Sequence, residues 1–391
     1  MTEEQLKNKV RGSLIGGAIG DALGYPVEFM SRKHILSRFG KQGITQFKLD
    51  EKGKALISDD TQMTLYTANG LLNVERLRLE PKFAIAHAYI DWYYTQVGKD
   101  LKARKSCWIS DIKELHNNRA PGNTCMSALS AISSGRDSCN NSKGCGGIMR
   151  VAPIALYAAG RSDFNEYDVA LLASNAAEIT HQHPLGYLSA ALLSALLYKI
   201  VGMSPEQGKF EIENMVAESL SVLDAIYEGK YENEKNCLKG LTSSAMQLAH
   251  SDTSDADAIS QLGEGWVAEE TWAIALYCAI RHIDSVENAI IASVNHNGDS
   301  DSTGSVCGNI MGAIYGYEHI KERNIFCPEG KQLEETLELS EIILALADDL
   351  TTSRVLTTGK YISHNTPVDK QWYERYVMMK PAGIDNMRHK E

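Results

Sequence analysis

Apolar positions recur at helical spacing along most of this chain. Over residues 4–24, Leu6, Val10 and Leu14 stand four apart, and Gly12, Gly16, Gly20 and Gly24 form a second row at the same interval. Glycine in a helix interior costs about 1 kcal/mol relative to alanine. Four on one face therefore point to a very close backbone approach by another element. Gly304, Gly308, Gly312 and Gly316 repeat the spacing far along the chain. The two glycine-striped helices are expected to be direct neighbours at the centre of the fold, as tight core packing, as a stiff scaffold for a site, or as both.

Further helical patterns fall at about 61–75, 82–97, 123–134, 148–160, 167–180, 184–201, 206–229, 267–281, 285–294, 303–319 and 331–350. Leu185 to Ile200 is apolar nearly all round, which predicts a buried central helix. Residues 37–57 break the pattern, and 44–57 read as a small hairpin or an ordered loop. The mixed, polar stretch 228–265 is an insertion or lid candidate. Beyond 351 the tail is polar, but Trp372, Tyr373 and Tyr376 predict that it docks.

The composition is that of an ordinary globular chain: 391 residues, 43% hydrophobic and 23% charged. A net charge of −11 has the wrong sign for general nucleic-acid binding. Glu3 and Glu4 precede any apolar run, so the N-terminus does not read as a secretory signal. Asp21 interrupts the first apolar stretch and Lys199 closes the longest, so no membrane span is expected. Eight cysteines without a CxxC pair suggest a reducing, cytoplasmic compartment.

Two acidic clusters carry the chemistry. Ser58-Asp59-Asp60-Thr61 opens one helical pattern, and Asp299-Ser300-Asp301-Ser302-Thr303 opens another. Helix capping explains one aspartate of the first cluster well and two poorly. If the fold joins the clusters, four carboxylates converge and require cations to neutralise them. Hard oxygen ligands in that number suit magnesium or manganese, so a two-metal site built from both ends of the chain is expected. Gly144-Cys145-Gly146-Gly147 leads into a helix and reads either as a phosphate cradle or as a tight turn. Cys145 lacks any visible base that would make it a nucleophile. His181 and His183 stand two apart; neither a cysteine nor a third histidine completes a zinc set, and helix-end capping competes with a ligand contact.

Six ordered blocks resemble the ADP-ribosylglycohydrolase family. They are Gly16 to Gly24 with Glu28, SDDTQM, GCGGIMRVAPIAL, THQHPLGY, GEGWVAEE at 263–270, and NGDSDSTGSVCGNIMGAIYG. The resemblance implies an all-α, compact multi-helix bundle, one domain over 1–391 with a motif-bearing core of about 8–350 and an extension at 351–391. It implies Ser58, Asp59, Asp60, Asp299, Asp301 and Ser302 as ligands of two Mg²⁺ or Mn²⁺, with Glu28 near the metals on the substrate side. It places Gly144, Cys145, Gly146, Gly147, Met149 and Arg150 around the phosphates and distal ribose of ADP-ribose, and His181 near the adenosine or ribose. The GCG loop and the DSDS block resemble the arginine-specific branch.

The expected reaction is metal-dependent hydrolysis of the N-glycosidic bond between ADP-ribose and an arginine of a modified protein. Asp59, Asp60 and Asp301 would be catalytic. An ADP-ribosyltransferase is an expected further partner. Three alternatives stand beside this. One is another acceptor, namely serine, nucleic acid or O-acetyl-ADP-ribose. Another is an immunity or regulatory protein that occludes an ADP-ribosylating toxin. The third is a two-metal phosphohydrolase.

Overall fold

A computed structural model describes residues 1–101, 105–203, 211–357, 372 and 374–378. Among them α-helices form the architecture, with no strand longer than an isolated bridge. In chain order they are α1 (Glu3–Gly24), α2 (Arg32–Phe39), α3 (Asp59–Leu72), α4 (Val74–Leu77), α5 (Pro81–Gln96), α6 (Asn123–Ser133), α7 (Ala152–Ala158), α8 (Glu166–Glu178) and α9 (Pro184–Gly202). There follow α10 (Ile212–Ile226), α11 (Glu232–Ala249), α12 (Asp255–Leu262), α13 (Ala268–Arg281), α14 (Val286–Val294), α15 (Ser300–Tyr315), α16 (Tyr317–Arg323), α17 (Leu333–Thr336) and α18 (Ser340–Thr357).

The glycine stripes meet as expected. α1 and α15 run antiparallel: Gly12 faces Gly312 and Gly316, Gly16 faces Gly308, Gly20 faces Gly304, and Gly24 faces Ser300. A methyl group on Gly20 would overlap the Gly304 carbonyl, and one on Gly308 the Gly16 carbonyl. The backbones therefore touch along the whole seam. Ser13 Oγ adds a hydrogen bond to the Asn309 carbonyl at 3.0 Å. Because the helices are antiparallel, the end of α1 lies beside the start of α15, and both lead into the site.

The apolar helix α9 is interior, packed among α7, α8, α10 and α13. It is long and apolar enough to cross a membrane, yet most of that stretch is covered by the protein itself. Lys9 Nζ reaches from α1 to donate to the carbonyls of Ile200 at 2.8 Å and Met203 at 2.7 Å, closing the α9 C-terminus.

Three expectations change on the structure. Residues 44–57 make only single bridges, Leu49 to Ala55 and Ala55 to Leu337, so the ordered-loop reading holds and the hairpin does not. The 228–265 stretch is no flap: its polar residues are the outer faces of α11 and α12, and α11 packs along α13, where Trp272 Nε1 donates to Thr242 Oγ1 at 2.9 Å. Helix α2 falls in a stretch without apolar periodicity and was not expected. Ser31 caps its start, its Oγ accepting from His34 N, and Gly40 at φ 94° ends it. In the tail, the Tyr376 hydroxyl donates to Asp349 at 2.8 Å and accepts from Trp108 Nε1 at 2.9 Å. Trp372 is buried beside it. Tyr373 lies outside the described residues.

Gly20→Ala should lower unfolding stability by about 3 kcal/mol, since neither backbone can retreat. Gly240→Ala on the exposed face of α11, where a methyl group meets nothing within 4 Å, should raise stability by about 0.5–1 kcal/mol. Denaturant titration of the two variants checks the contrast.

Candidate active site and metal centre

Each acidic cluster is a helix start held in place by a neighbouring segment. Ser58 caps α3, its Oγ accepting from Asp60 N at 3.1 Å. Both oxygens of Asp21, one turn before the end of α1, accept from Ser58 N at 3.0 Å, and Asp21 also accepts from the amide and hydroxyl of Thr61. From the other side, Asp59 N donates to the Arg119 carbonyl at 3.1 Å, and Gly122 N donates to Asp59 Oδ2 at 3.2 Å. Glu338 accepts from Ile57 N and pairs with Arg119, tying both arms together. Ala120, in that second arm, holds a left-handed φ of 54°, a conformation of the kind that accumulates at functional sites.

The second cluster rests on a loop the sequence reading left without a role. Asp299 caps α15, and its own amide donates to the Glu264 carbonyl at 2.8 Å. Gly298, at φ 109°, passes so close to Glu264 that a Cβ would overlap it. Glu270 Oε2 in turn accepts from the amides of Glu264 at 3.0 Å and Gly265 at 3.2 Å. Glu269 pairs with Lys143, and Cys145 N donates to the Trp266 carbonyl at 3.2 Å. The 263–270 block is thus a clamp that fastens the glycine loop to the second acidic loop. His296 binds the Thr303 hydroxyl at 2.8 Å and the Ser293 carbonyl at 2.9 Å, bracing the same turn.

The two clusters converge on one cleft of about 820 Å³, a size suited to a nucleotide-sugar ligand. Asp59, Asp60, Asp299, Asp301 and Ser302 line it together with Glu28, while Ser58 is wholly buried behind them. Glu28, Asp299 and Asp301 place carboxylate oxygens within 4.8 Å of one another, a grouping able to hold a metal ion. Glu28, expected near the metals on the substrate side, stands in that acidic grouping. Glu28 Oε2 and Asp60 Oδ2 are buried and have no hydrogen-bond partner. Buried carboxylate oxygens left unpaired carry a large desolvation cost, which a divalent cation removes. The donor set therefore fits hard cations.

Burial first, then the charge of Asp301, pushes Asp59 and Asp60 well above the usual carboxylate range. The same two causes raise Asp21 to about 7 and Glu28 to about 11. Asp299 rises well above its usual value for the same reasons.

The glycine loop has a different logic. His181 lies across it: a Cβ on Gly146 would sit 2.8 Å from His181 Cε1, and one on Gly144 3.3 Å from Nε2. Gly147 stacks on the Gly186 carbonyl instead of lining the cleft. Arg150 does not face the cleft either. It is fully buried, 4.3 Å over the Tyr89 ring, and donates to Thr180 Oγ1 at 2.6 Å. Thr180 in turn bonds His181 Nδ1 at 2.8 Å, so Arg150 positions His181 from behind. Burial and the Arg150 charge lower the His181 pKa to about 3, leaving a neutral imidazole. Gly144, Cys145, Gly146, Met149 and His181 do line the cleft. His183 caps α9, its Nδ1 accepting from Leu185 N at 3.1 Å, which removes the zinc reading. Burial, then Asp299 and Asp60, push the Cys145 thiol well up, so it is no thiolate nucleophile. Sequence reasoning missed the wall from Asn118 to Met126. There α6 begins without a side-chain cap, leaving its first amides free for a ligand. The Pro121-Gly122 pair ahead of a helical run was the available signal.

A model of the ADP-ribosylglycohydrolase family matches residues 2–358. The chain belongs to that family. Its members are metal-dependent hydrolases of ADP-ribose glycosidic bonds. Among related proteins, ADP-ribosylhydrolase ARH3 of Mus musculus is 26% identical over 337 residues, covering 81% of this chain and 86% of its own length. The ADP-ribosyl-[dinitrogen reductase] glycohydrolase of Rhodospirillum rubrum is 23% identical, covering 89% and 99%. An ADP-ribosylarginine hydrolase of Serratia proteamaculans is 26% identical, covering 81% and 74%. A solved structure described as an ADP-ribosylglycohydrolase-related protein complex shares the fold, with a TM-score of 0.56 over 90% of this chain and 99% of that one, at 22% identity.

The raised carboxylates fix a pH dependence. Without metal, the folded chain keeps protons that its unfolded form releases from about pH 4 upward. Stability without metal therefore falls as pH rises toward 7 and beyond. A divalent ion competes with those protons, so the rise in Tm on adding Mg²⁺ or Mn²⁺ should be larger at pH 7.5 than at pH 5. Taking the difference with and without metal cancels the opposite contribution of His181. Thermal denaturation at both pH values measures it.

Proposed function

We propose that the chain hydrolyses the N-glycosidic bond between ADP-ribose and an arginine side chain of a modified protein. The observation that carries the reading is the convergence of both acidic clusters, with two unpartnered buried carboxylate oxygens, at a cleft walled by free amides and a neutral histidine. Two features favour arginine as acceptor. The GCG loop and the DSDS block resemble the arginine-specific branch. The chain also resembles a protein named as an ADP-ribosylarginine hydrolase.

Ser58, Asp59 and Asp60 would hold one cation, and Asp299, Asp301 and Ser302 with Glu28 the other, as Mg²⁺ or Mn²⁺. Bound there, such cations neutralise the cluster and act as Lewis acids toward sugar hydroxyls and water. The chain's own groups do the rest. Asp59 or Asp60 takes the proton of the attacking water. The water oxygen bonds to the anomeric carbon as the carbon–nitrogen bond breaks, and arginine leaves with a proton from solvent. The remaining carboxylates stabilise positive charge developing on the ribose. The start of α6 offers amides to the pyrophosphate, with Gly144, Cys145 and Gly146 as the adjoining wall, and the neutral His181 adds no charge that would compete there.

The test is release of ADP-ribose from arginine-ADP-ribosylated protein and from a serine-ADP-ribosylated peptide, with and without chelator. Arginine-linked ADP-ribose should be freed, chelator should stop the reaction, and Mg²⁺ or Mn²⁺ should restore it. Asp60→Asn and Asp301→Asn should each lose at least about 100-fold in kcat. Phosphate release in place of ADP-ribose, or turnover indifferent to chelator, would contradict the assignment.

A further inference from the structure

Two aromatic rings at the mouth of the cleft play no part in the core. Phe29 is 74% exposed and Trp266 38%. Their centroids lie 5.8 Å apart with planes inclined by 19°. Of the exposed large apolar side chains among the described residues, only these two line the cleft. Leaving such a pair in water is costly unless a ligand or partner covers it.

Their place is set by their neighbours. Phe29 follows Glu28, which groups with Asp299 and Asp301. Trp266 follows Gly265, where a Cβ would lie 3.5 Å from Asp299 Cβ. The rings therefore line the same cleft as these carboxylates, on the side of Glu28 and Asp299. The exposed π surface of this pair suits a planar cation, which stacks on it. A serine hydroxyl would not gain from it.

We propose that Phe29 and Trp266 are the acceptor seat, a π platform that receives the guanidinium of the modified arginine. This rests on the arginine-hydrolase reading and adds the residues that set its specificity. The Trp266 carbonyl, which holds Cys145, belongs to the backbone, so side-chain variants leave that link intact.

The test is steady-state kinetics of the metal-loaded full chain on an arginine-ADP-ribosylated peptide, paired with calorimetric binding of free ADP-ribose. Phe29→Ala, Phe29→Leu and Trp266→Ala should each raise KM about tenfold with kcat little changed. Trp266→Phe, which keeps a π face, should recover most of the loss. Affinity for ADP-ribose should stay at the wild-type value in every variant, which also reports that each has folded. Unchanged KM in the ring variants would overturn the seat while leaving the arginine reading intact. A parallel loss of ADP-ribose affinity would also overturn it, because the rings would then serve the nucleotide. Failure of the wild-type chain to cleave the arginine linkage, with cleavage of a serine-linked peptide, would sink the underlying reading and the seat with it.

Discussion

The contact between the backbones of α1 and α15 is the constraint on which the rest of this molecule depends. It permits no side chain between the helices at Gly12, Gly16, Gly20 or Gly24, nor at Gly304, Gly308 or Gly312. Each of those glycines loosens an isolated helix. In the packed seam the loss is offset by dense van der Waals contact over several turns. The geometric result matters more than the energy. With the helices antiparallel and in contact, Asp21 and Glu28 at one end of α1 are brought to the first turn of α15. A gap of one methyl group would move the Asp299–Asp301 turn away from Asp21, and the spacing of the carboxylates would open with it.

Gathering carboxylates at such a point opposes folding. Burial and mutual repulsion both act against the ionised forms, as the upward displacement of Asp21, Glu28, Asp59, Asp60 and Asp299 shows. The fold offsets part of this by local means. Asp59 and Asp60 sit in the first turn of α3 and Asp301 in that of α15, where the helix dipole favours negative charge. Asp21 and Asp59 are further supplied with backbone donors. The oxygens left over, on Glu28 and Asp60, have no such supply. They mark where a cation is needed, and the same unmet demand is what makes the site chemically useful.

Much of this was legible along the chain because it is periodic or locally concentrated. The i+4 glycine rows exposed the seam, the two acidic clusters exposed the site, and the apolar surround of α9 exposed the interior helix. What escaped was written in contacts remote along the sequence. Asp21 reads as an interruption of an apolar run, yet it holds the first acidic turn. Arg150 stands in the glycine-loop block and looks like a phosphate ligand. Its guanidinium turns inward because Tyr89 and Thr180, from other helices, satisfy it there. The polar 228–265 stretch looks like a flap because one-sided helices on a surface show more polar than apolar residues. The Asn118–Gly122 arm carries no periodicity, and the left-handed Ala120 cannot be read from an alanine.

These bracing contacts also limit which parts of the site can move. Glu270 holds the 263–265 turn, that turn holds Gly298 and Asp299, Glu269 and the Trp266 carbonyl hold the glycine loop, and Glu338 with Arg119 holds the turn before Asp59. Asp21, Asp59 and Asp299 are thus each tied to a segment outside their own helix, and Glu28 is not. It follows the short turn Tyr25–Val27, its Oε2 is unpaired, and its chain neighbour Phe29 stands in solvent against Trp266. The sparse bonding around Glu28 and Phe29 makes the segment after α1 the least braced wall of the cleft, with the glycine seam at its base.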